Sequence, residues 1–162
     1  MIKKIFIILP YKESLKANFA GAVSIYVKDT SKYSKFRKDI NIISSDNFDK
    51  NKLFKNKKYI LDFCEKYKKT KIDIIEIHNR PEYLPYIKKF FPNTKVKIFF
   101  HNDPLTLRGS ENIKEREYIL SNSDKIIFLS NWIHQMFFSG LKNSNFQNVA
   151  TLPVGIIKEK TI

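Results

Sequence analysis

The chain has 162 residues, 43% of them hydrophobic and 14% aromatic, enough for one ordinary domain with a real core and too many for a disordered chain. Four glycines and six prolines exclude collagen-like or low-complexity sequence, and the single cysteine, Cys64, excludes an internal disulfide or a cysteine zinc cluster. The net charge is +14, but of 30 basic residues only Arg37, Arg80, Arg108 and Arg116 are arginine. Nucleic-acid readers depend on the planar arginine fork, so this lysine-dominated charge is the mark of a solvated surface and argues against a nucleic-acid partner.

The amino terminus, Met1-Ile2-Lys3-Lys4 followed by Ile5 to Leu9, is too short for a secretory leader and stops at Pro10. No window approaches the roughly 18 apolar residues of a membrane span. The expectation is a cytoplasmic protein.

Short apolar, β-branched runs alternate with segments of helical period. Strands are predicted over Lys3–Leu9, Ile40–Ser44, Ile72–His78, Val96–His101, Lys125–Ser130 and Val149–Pro153. Their near-continuous apolar character fits strands covered on both faces of a parallel sheet. A first helix is predicted over Ala20–Phe36. In Lys57–Lys69, residues Tyr59, Ile60, Phe63, Cys64 and Tyr67 mark one helical face with lysines opposite. Pro81 suits the first turn of a helix running to Phe91, and Glu111–Asn122 makes a fourth. Trp132, Ile133, Met136, Phe137 and Leu141 make a fifth, with Ser130 or Asn131 as N-cap and Gly140 near its end. The alternation predicts an α/β fold, Rossmann-like and doubly wound, with a mainly parallel sheet of about six strands.

In such a sheet ligands bind outside the carboxyl ends of the strands. Strand one leads through Lys16-Ala17-Asn18-Phe19 into Ala20-Gly21-Ala22. Strand three ends in His78-Asn79-Arg80, and strand four in His101-Asn102-Asp103-Pro104 with Arg108-Gly109-Ser110 beyond. Two strands ending in His-Asn bring two imidazoles and two carboxamides to one rim.

Each piece carries a second, plainer meaning. Ala20-Gly21-Ala22 lacks the dinucleotide fingerprint and fits a tight turn. His78 alone is a half-buried histidine donating to a backbone carbonyl, and Asn79-Arg80-Pro81 a helix entry. His101 with Asp103 is either a cap leading into Pro104 or a neutral imidazole, suited to proton transfer and oriented by a nearby acceptor. Arg108 either binds an anionic group or pairs with Glu111. His134 falls between core positions and is given no role. No nucleophile elbow, P-loop, His-Glu-x-x-His motif or paired carboxylates are present.

Ile75-Glu76-Ile77-His78-Asn79-Arg80-Pro81, Phe99-Phe100-His101-Asn102-Asp103-Pro104 with Arg108-Gly109-Ser110, Glu115-Arg116, Ile126 to Trp132 and Leu152-Pro153-Val154-Gly155-Ile156 occur in that order. In this set the chain resembles the amino-terminal half of a GT-B glycosyltransferase of the retaining family 4, which contains many lipopolysaccharide and polysaccharide transferases. The resemblance implies that residues 1–153 form the acceptor-side domain and 154–162 begin the segment leading to a second, donor-binding domain with a Glu-x7-Glu motif.

It implies that His101 lies beside the reacting sugar; Asp103, the one acid with a clear placement on the rim, is the second catalytic candidate. Ala20, Gly21 and Ala22 then lie near the donor phosphates and acceptor. By the resemblance His78, Asn79 and Arg80 fall on the acceptor-side rim; Asn102 and Arg108, placed beyond the end of strand four, are further substrate-binding candidates. No cofactor or metal is called for. The implied partners are a nucleotide diphosphate sugar, a sugar or glycolipid acceptor, a separately encoded donor domain and a peripheral contact with an anionic inner membrane. The rival functions are a non-catalytic sugar- or lipid-binding module and a basic nucleic-acid-binding α/β protein. The expectation is a chain inactive by itself, with an exposed apolar patch over Val154–Ile157.

Overall fold

The computed structural model describes residues 4–16, 18, 20–48 and 55–153. The expected features at Ala17, Phe19 and 154–162, including the Val154–Ile157 patch, lie outside the described residues.

Among the described residues six strands form one fully parallel sheet: β1 (Ile5–Ile8), β2 (Ile40–Ile43), β3 (Ile74–His78), β4 (Lys95–Phe100), β5 (Lys125–Phe128) and β6 (Val149–Thr151). Their order is β2-β1-β3-β4-β5-β6. Five α-helices among the described residues connect them: α1 (Ala22–Tyr33), α2 (Asn56–Tyr67), α3 (Leu84–Phe90), α4 (Ile113–Asn122) and α5 (Asn131–Phe138). This is the expected Rossmann-like α/β architecture, and the chain reverses direction in the sheet between β1 and β3.

Alternate residues of β1, β2 and β3 feed two cores, and β4, β5 and β6 feed the larger one. Phe6, Ile8, Ile75, Ile77, Val96, Ile98, Phe100, Ile126 and Phe128 cluster with Tyr59, Ile60 and Phe63 of α2, Leu84 and Ile87 of α3, Ile119 of α4 and Phe137 of α5. On the opposite face Ile5, Ile7 and Leu9 pack on Val23 and Val27 of α1. The coat is uneven, with four helices on one face and α1 on the other. Each large apolar side chain removed from water contributes roughly 1.5–3 kcal/mol, so the heavier face carries most of the stability.

Several predicted boundaries shift for local reasons. The helix expected from Pro81 is broken. Pro85 has no N–H to give the Pro81 carbonyl, so Pro81–Tyr83 closes as a 3-10 turn and α3 starts at Leu84. The fourth helix starts at Ile113 rather than Glu111, because Asn112 is its N-cap. Glu115 N–H donates to Asn112 Oδ1 (3.0 Å) and Asn112 N–H to Glu115 Oε2 (3.3 Å). Ser130 caps α5 through Ile133 N–H (3.2 Å) instead of extending β5. The first helix spans Ala22–Tyr33, shorter than expected at both ends.

Two polar clamps hold the β4–α5 side. Arg116, only 4% exposed, donates through Nη1 to the carbonyls of Phe137 (2.6 Å) and Ser139 (2.7 Å) at the end of α5. Fully buried Ser110 Oγ donates to Pro104 O (2.6 Å), closing the loop after β4. In that loop Gly109 has φ +89, and a Cβ there would meet the Glu82 backbone N at 2.6 Å, so only glycine fits.

Candidate functional site

The register pairs His78 of β3 with Phe99 of β4, placing His101 one step past the strand end and beside His78. The two imidazoles touch: His78 Nδ1 lies 2.8 Å from His101 Nε2. The His78 ring stacks on Phe99 (centroids 4.4 Å, interplanar 7°), and the Tyr26 ring of α1 meets His101 edge-on (4.9 Å, 85°). His101 is therefore paired with an imidazole rather than with Asp103, and His78 bonds a side chain rather than the expected backbone carbonyl.

Burial sets the charge of the pair. His78 is 1% exposed, and desolvation together with the His101 ring holds its pKa well below 6.5. Desolvation pulls His101 down to about 4. Both rings are neutral at physiological pH, able to accept or donate one hydrogen bond at each end of the pair.

Asn79 joins the two strand ends. It is 3% exposed with φ +54, a conformation asparagine tolerates better than most residues. Its Oδ1 accepts from His101 N–H (2.8 Å) and Asn102 N–H (3.3 Å). Asn79 is thus a strut inside the rim, and its side-chain oxygen is already used. Asn102 is exposed. Asp103 Oδ1 accepts from Leu105 N–H (2.9 Å), capping the 3-10 turn Pro104–Thr106, the plainer of its two sequence readings.

Arg80 Nη1 donates to Asn79 O (2.8 Å), while its Nε is buried without a hydrogen-bond partner. Arg80 lines a hollow of about 480 Å3 with Tyr11, Lys12, Lys55 and Asn56, at the β1/β3 reversal where open α/β sheets bind ligands. A larger hollow of about 580 Å3, lined by Lys68, Ile72, Thr94 and Lys95, opens at the opposite, amino-terminal edge of the sheet. It holds none of the rim residues. Exposed Arg108 forms no ion pair with Glu111.

The head of α1, where Ala20, Gly21 and Ala22 are expected near the donor phosphates and acceptor, already holds a carboxylate. Glu13 Oε2 accepts from Gly21 N–H (3.0 Å), Ser24 N–H (3.3 Å) and Ser24 Oγ (2.5 Å). The chain's own carboxylate fills the position an anion would take at this helix terminus. Gly21 is the helix N-cap, and a side chain there would collide with the Glu13 carboxylate.

Three acids are given no role by the sequence reading. Glu13 stands eight residues before Gly21, a spacing no motif flags. Glu76 stands two before His78 on the same strand face, which period-two alternation does flag. Its Oε1 lies 3.1 Å from Lys97 Nζ and its Oε2 is 4.0 Å from His78 Nε2. Glu82, half-buried beside the Arg80 rim, accepts from Asn56 Nδ2 (2.7 Å), and burial raises its pKa. Among the described residues no cluster of three or more His, Cys, Asp and Glu could hold a metal ion. No described helix is long and apolar enough to cross a membrane.

A scan of protein-family models finds no match, and a search of curated protein sequences finds none either. A matching solved structure is the N-terminal domain of Candida albicans trehalose-6-phosphate phosphatase, at 14% identity and a TM-score of 0.47. The match covers 96% of this chain and 49% of that one, so the chain spans about half the length of that neighbour. The fold assignment above rests on the sheet order and register.

Proposed function

We propose that the chain is the acceptor-side domain of a GT-B glycosyltransferase of the retaining family-4 type it resembles. In this reading the rim carried by His78, Asn79 and His101 meets the acceptor hydroxyl and the transferred sugar. The observation that carries it is the pairing of two neutral imidazoles at the carboxyl ends of adjacent strands, beside the β1/β3 reversal and the Arg80 hollow. A neutral imidazole at the rim accepts a hydroxyl proton or orients the sugar, and Arg80 with Asn102 and Arg108 binds the acceptor's polar groups. Asp103 acts indirectly, by shaping the turn after His101.

Transfer from a nucleotide diphosphate sugar requires cations opposite the departing diphosphate. The head of α1 does not offer itself for that, since Glu13 already occupies it. The donor's phosphates therefore belong to a second wall, a donor-binding domain. That assigns this chain the acceptor, a sugar or glycolipid, with its lysine-rich surface resting against an anionic membrane.

The test is transfer assayed with uridine and guanosine diphosphate sugars, for the chain alone and for the chain completed by a donor domain. The chain alone is expected to be inactive and to bind these donors poorly by calorimetry. In the completed enzyme His101→Ala is expected to lower kcat by about 10²–10⁴, the range of a lost proton-transfer group. Micromolar donor binding with turnover by this chain alone would overturn the half-enzyme reading. Unchanged turnover of a folded His101→Ala enzyme would reduce His101 to a structural residue.

A further inference from the structure

The His78–His101 contact holds one proton, since two neutral imidazoles 2.8 Å apart must be one donor and one acceptor. Which ring donates decides what the outer nitrogen of His101 presents to a ligand. If His101 Nε2–H donates inward, His101 Nδ1 carries a lone pair. If His78 Nδ1–H donates outward, His101 Nδ1 carries the proton.

The inner end of the pair discriminates between the two. His78 Nε2 is buried and has no hydrogen-bond partner, and Glu76 Oε2 lies 4.0 Å from it. A lone pair on Nε2 would face a carboxylate oxygen in a poorly screened interior, whereas an N–H there is attracted to it. Glu76 is fixed for this task. It pairs in register with Lys97, whose Nζ lies 3.1 Å from Oε1, leaving Oε2 toward the imidazole. The groups facing the pair are Glu76 and Lys97 on β3 and β4 and Tyr26 on α1, whose pKa is raised by burial and then by Glu76. The rings are held against reorientation by Phe99 and Tyr26. With both imidazoles kept neutral by burial, no doubly protonated ring confuses the assignment.

We infer that Glu76, acting through His78, fixes the tautomer of His101, so that Nε2 holds the proton and Nδ1 is a standing hydrogen-bond acceptor at the rim. Glu76 and His78 are then positioning residues. That Nδ1 receives the proton of an acceptor hydroxyl rests on the transferase reading. The tautomer itself does not.

The experiment is long-range proton–nitrogen correlation NMR of the 15N-labelled chain at pH 7.5, comparing wild type with Glu76→Gln. In wild type both histidines are expected to show a protonated Nε2 and an unprotonated Nδ1, the favoured form exceeding the other at least tenfold. In E76Q the amide offers His78 either a donor or an acceptor, and the His101 preference is expected to fall at least threefold. A purely structural Glu76 would not move the nitrogen shifts of a ring it does not touch. A wild-type His101 protonated on Nδ1 overturns the inference without any variant, and so does a folded E76Q protein with unchanged tautomer populations. Lack of glycosyl transfer would leave the tautomer result standing, and a wrong tautomer would leave the transfer assay to be decided separately.

Discussion

Replacing Asn79 by alanine tests whether the rim is held by one side chain. Two costs follow from its geometry. Alanine at φ +54 adopts a left-handed conformation at about 1–2 kcal/mol. The N–H groups of His101 and Asn102 lose their shared acceptor, at about 1 kcal/mol each. The expected loss is about 3 kcal/mol, which for a domain of this size lowers Tm by about 6–12 °C. Asn79→Gly keeps the freedom to take positive φ but removes the acceptor oxygen, and should lose about 2 kcal/mol, the hydrogen-bond share alone. Urea and thermal unfolding followed by circular dichroism give the magnitudes, and the amide resonances of His101 and Asn102 report the local change. An alanine variant or a glycine variant as stable as wild type would refute the strut.

Gly21→Ala should displace the Glu13 carboxylate and cost about 1–2 kcal/mol, as for a lost helix cap, but almost nothing in a Glu13→Ala background; additive losses in the double-mutant cycle would show that the two residues are independent. Acid should destabilise the fold before the carboxylates titrate. His101 takes up its proton near pH 6.5 when unfolded but only at about 4 when folded, so stability present above pH 6.5 is lost as pH falls toward 4. The full effect is about 3 kcal/mol, and equal stability at pH 7.5 and 5 would refute it. Burial pushes the Cys64 thiol up to about 12, so thiol reagents at pH 8 should label it only through unfolding, at a rate that climbs with urea; rapid labelling of native protein would contradict the buried position.

Much of the architecture was legible because it depends on local pattern. The helical spacing of Tyr59, Ile60, Phe63 and Cys64 puts all four in the core, and six apolar runs become six parallel strands. That His78 and His101 share a rim was legible too, because parallel strands all end on one side. Their direct contact was not, since it depends on the β3–β4 register, which pairs His78 with Phe99 and which neither segment encodes by itself. Asn79, taken for a substrate contact or a helix entry, spends its oxygen on neighbouring backbone for the same reason. Glu115-Arg116 is one of the segments that carry the family resemblance. Its arginine proves to bind the end of α5, a partner 21 residues away in sequence. Glu13 reaches the head of α1 through an irregular loop, where no periodicity guides a prediction.

The clamps on the β4 side bear on the thermodynamics of recognition. Ser110 closes the loop that follows His101, and Arg116 ties α4 to the last turn of α5, so this edge of the rim is stiff before anything binds. A guest that touches it loses only its own freedom and a few side-chain rotamers, with no loop to order. Binding there should release heat with little opposing entropy, and selectivity should come from shape and hydrogen-bond polarity fixed in advance. A chemical group of the wrong size has no compliant segment to accommodate it.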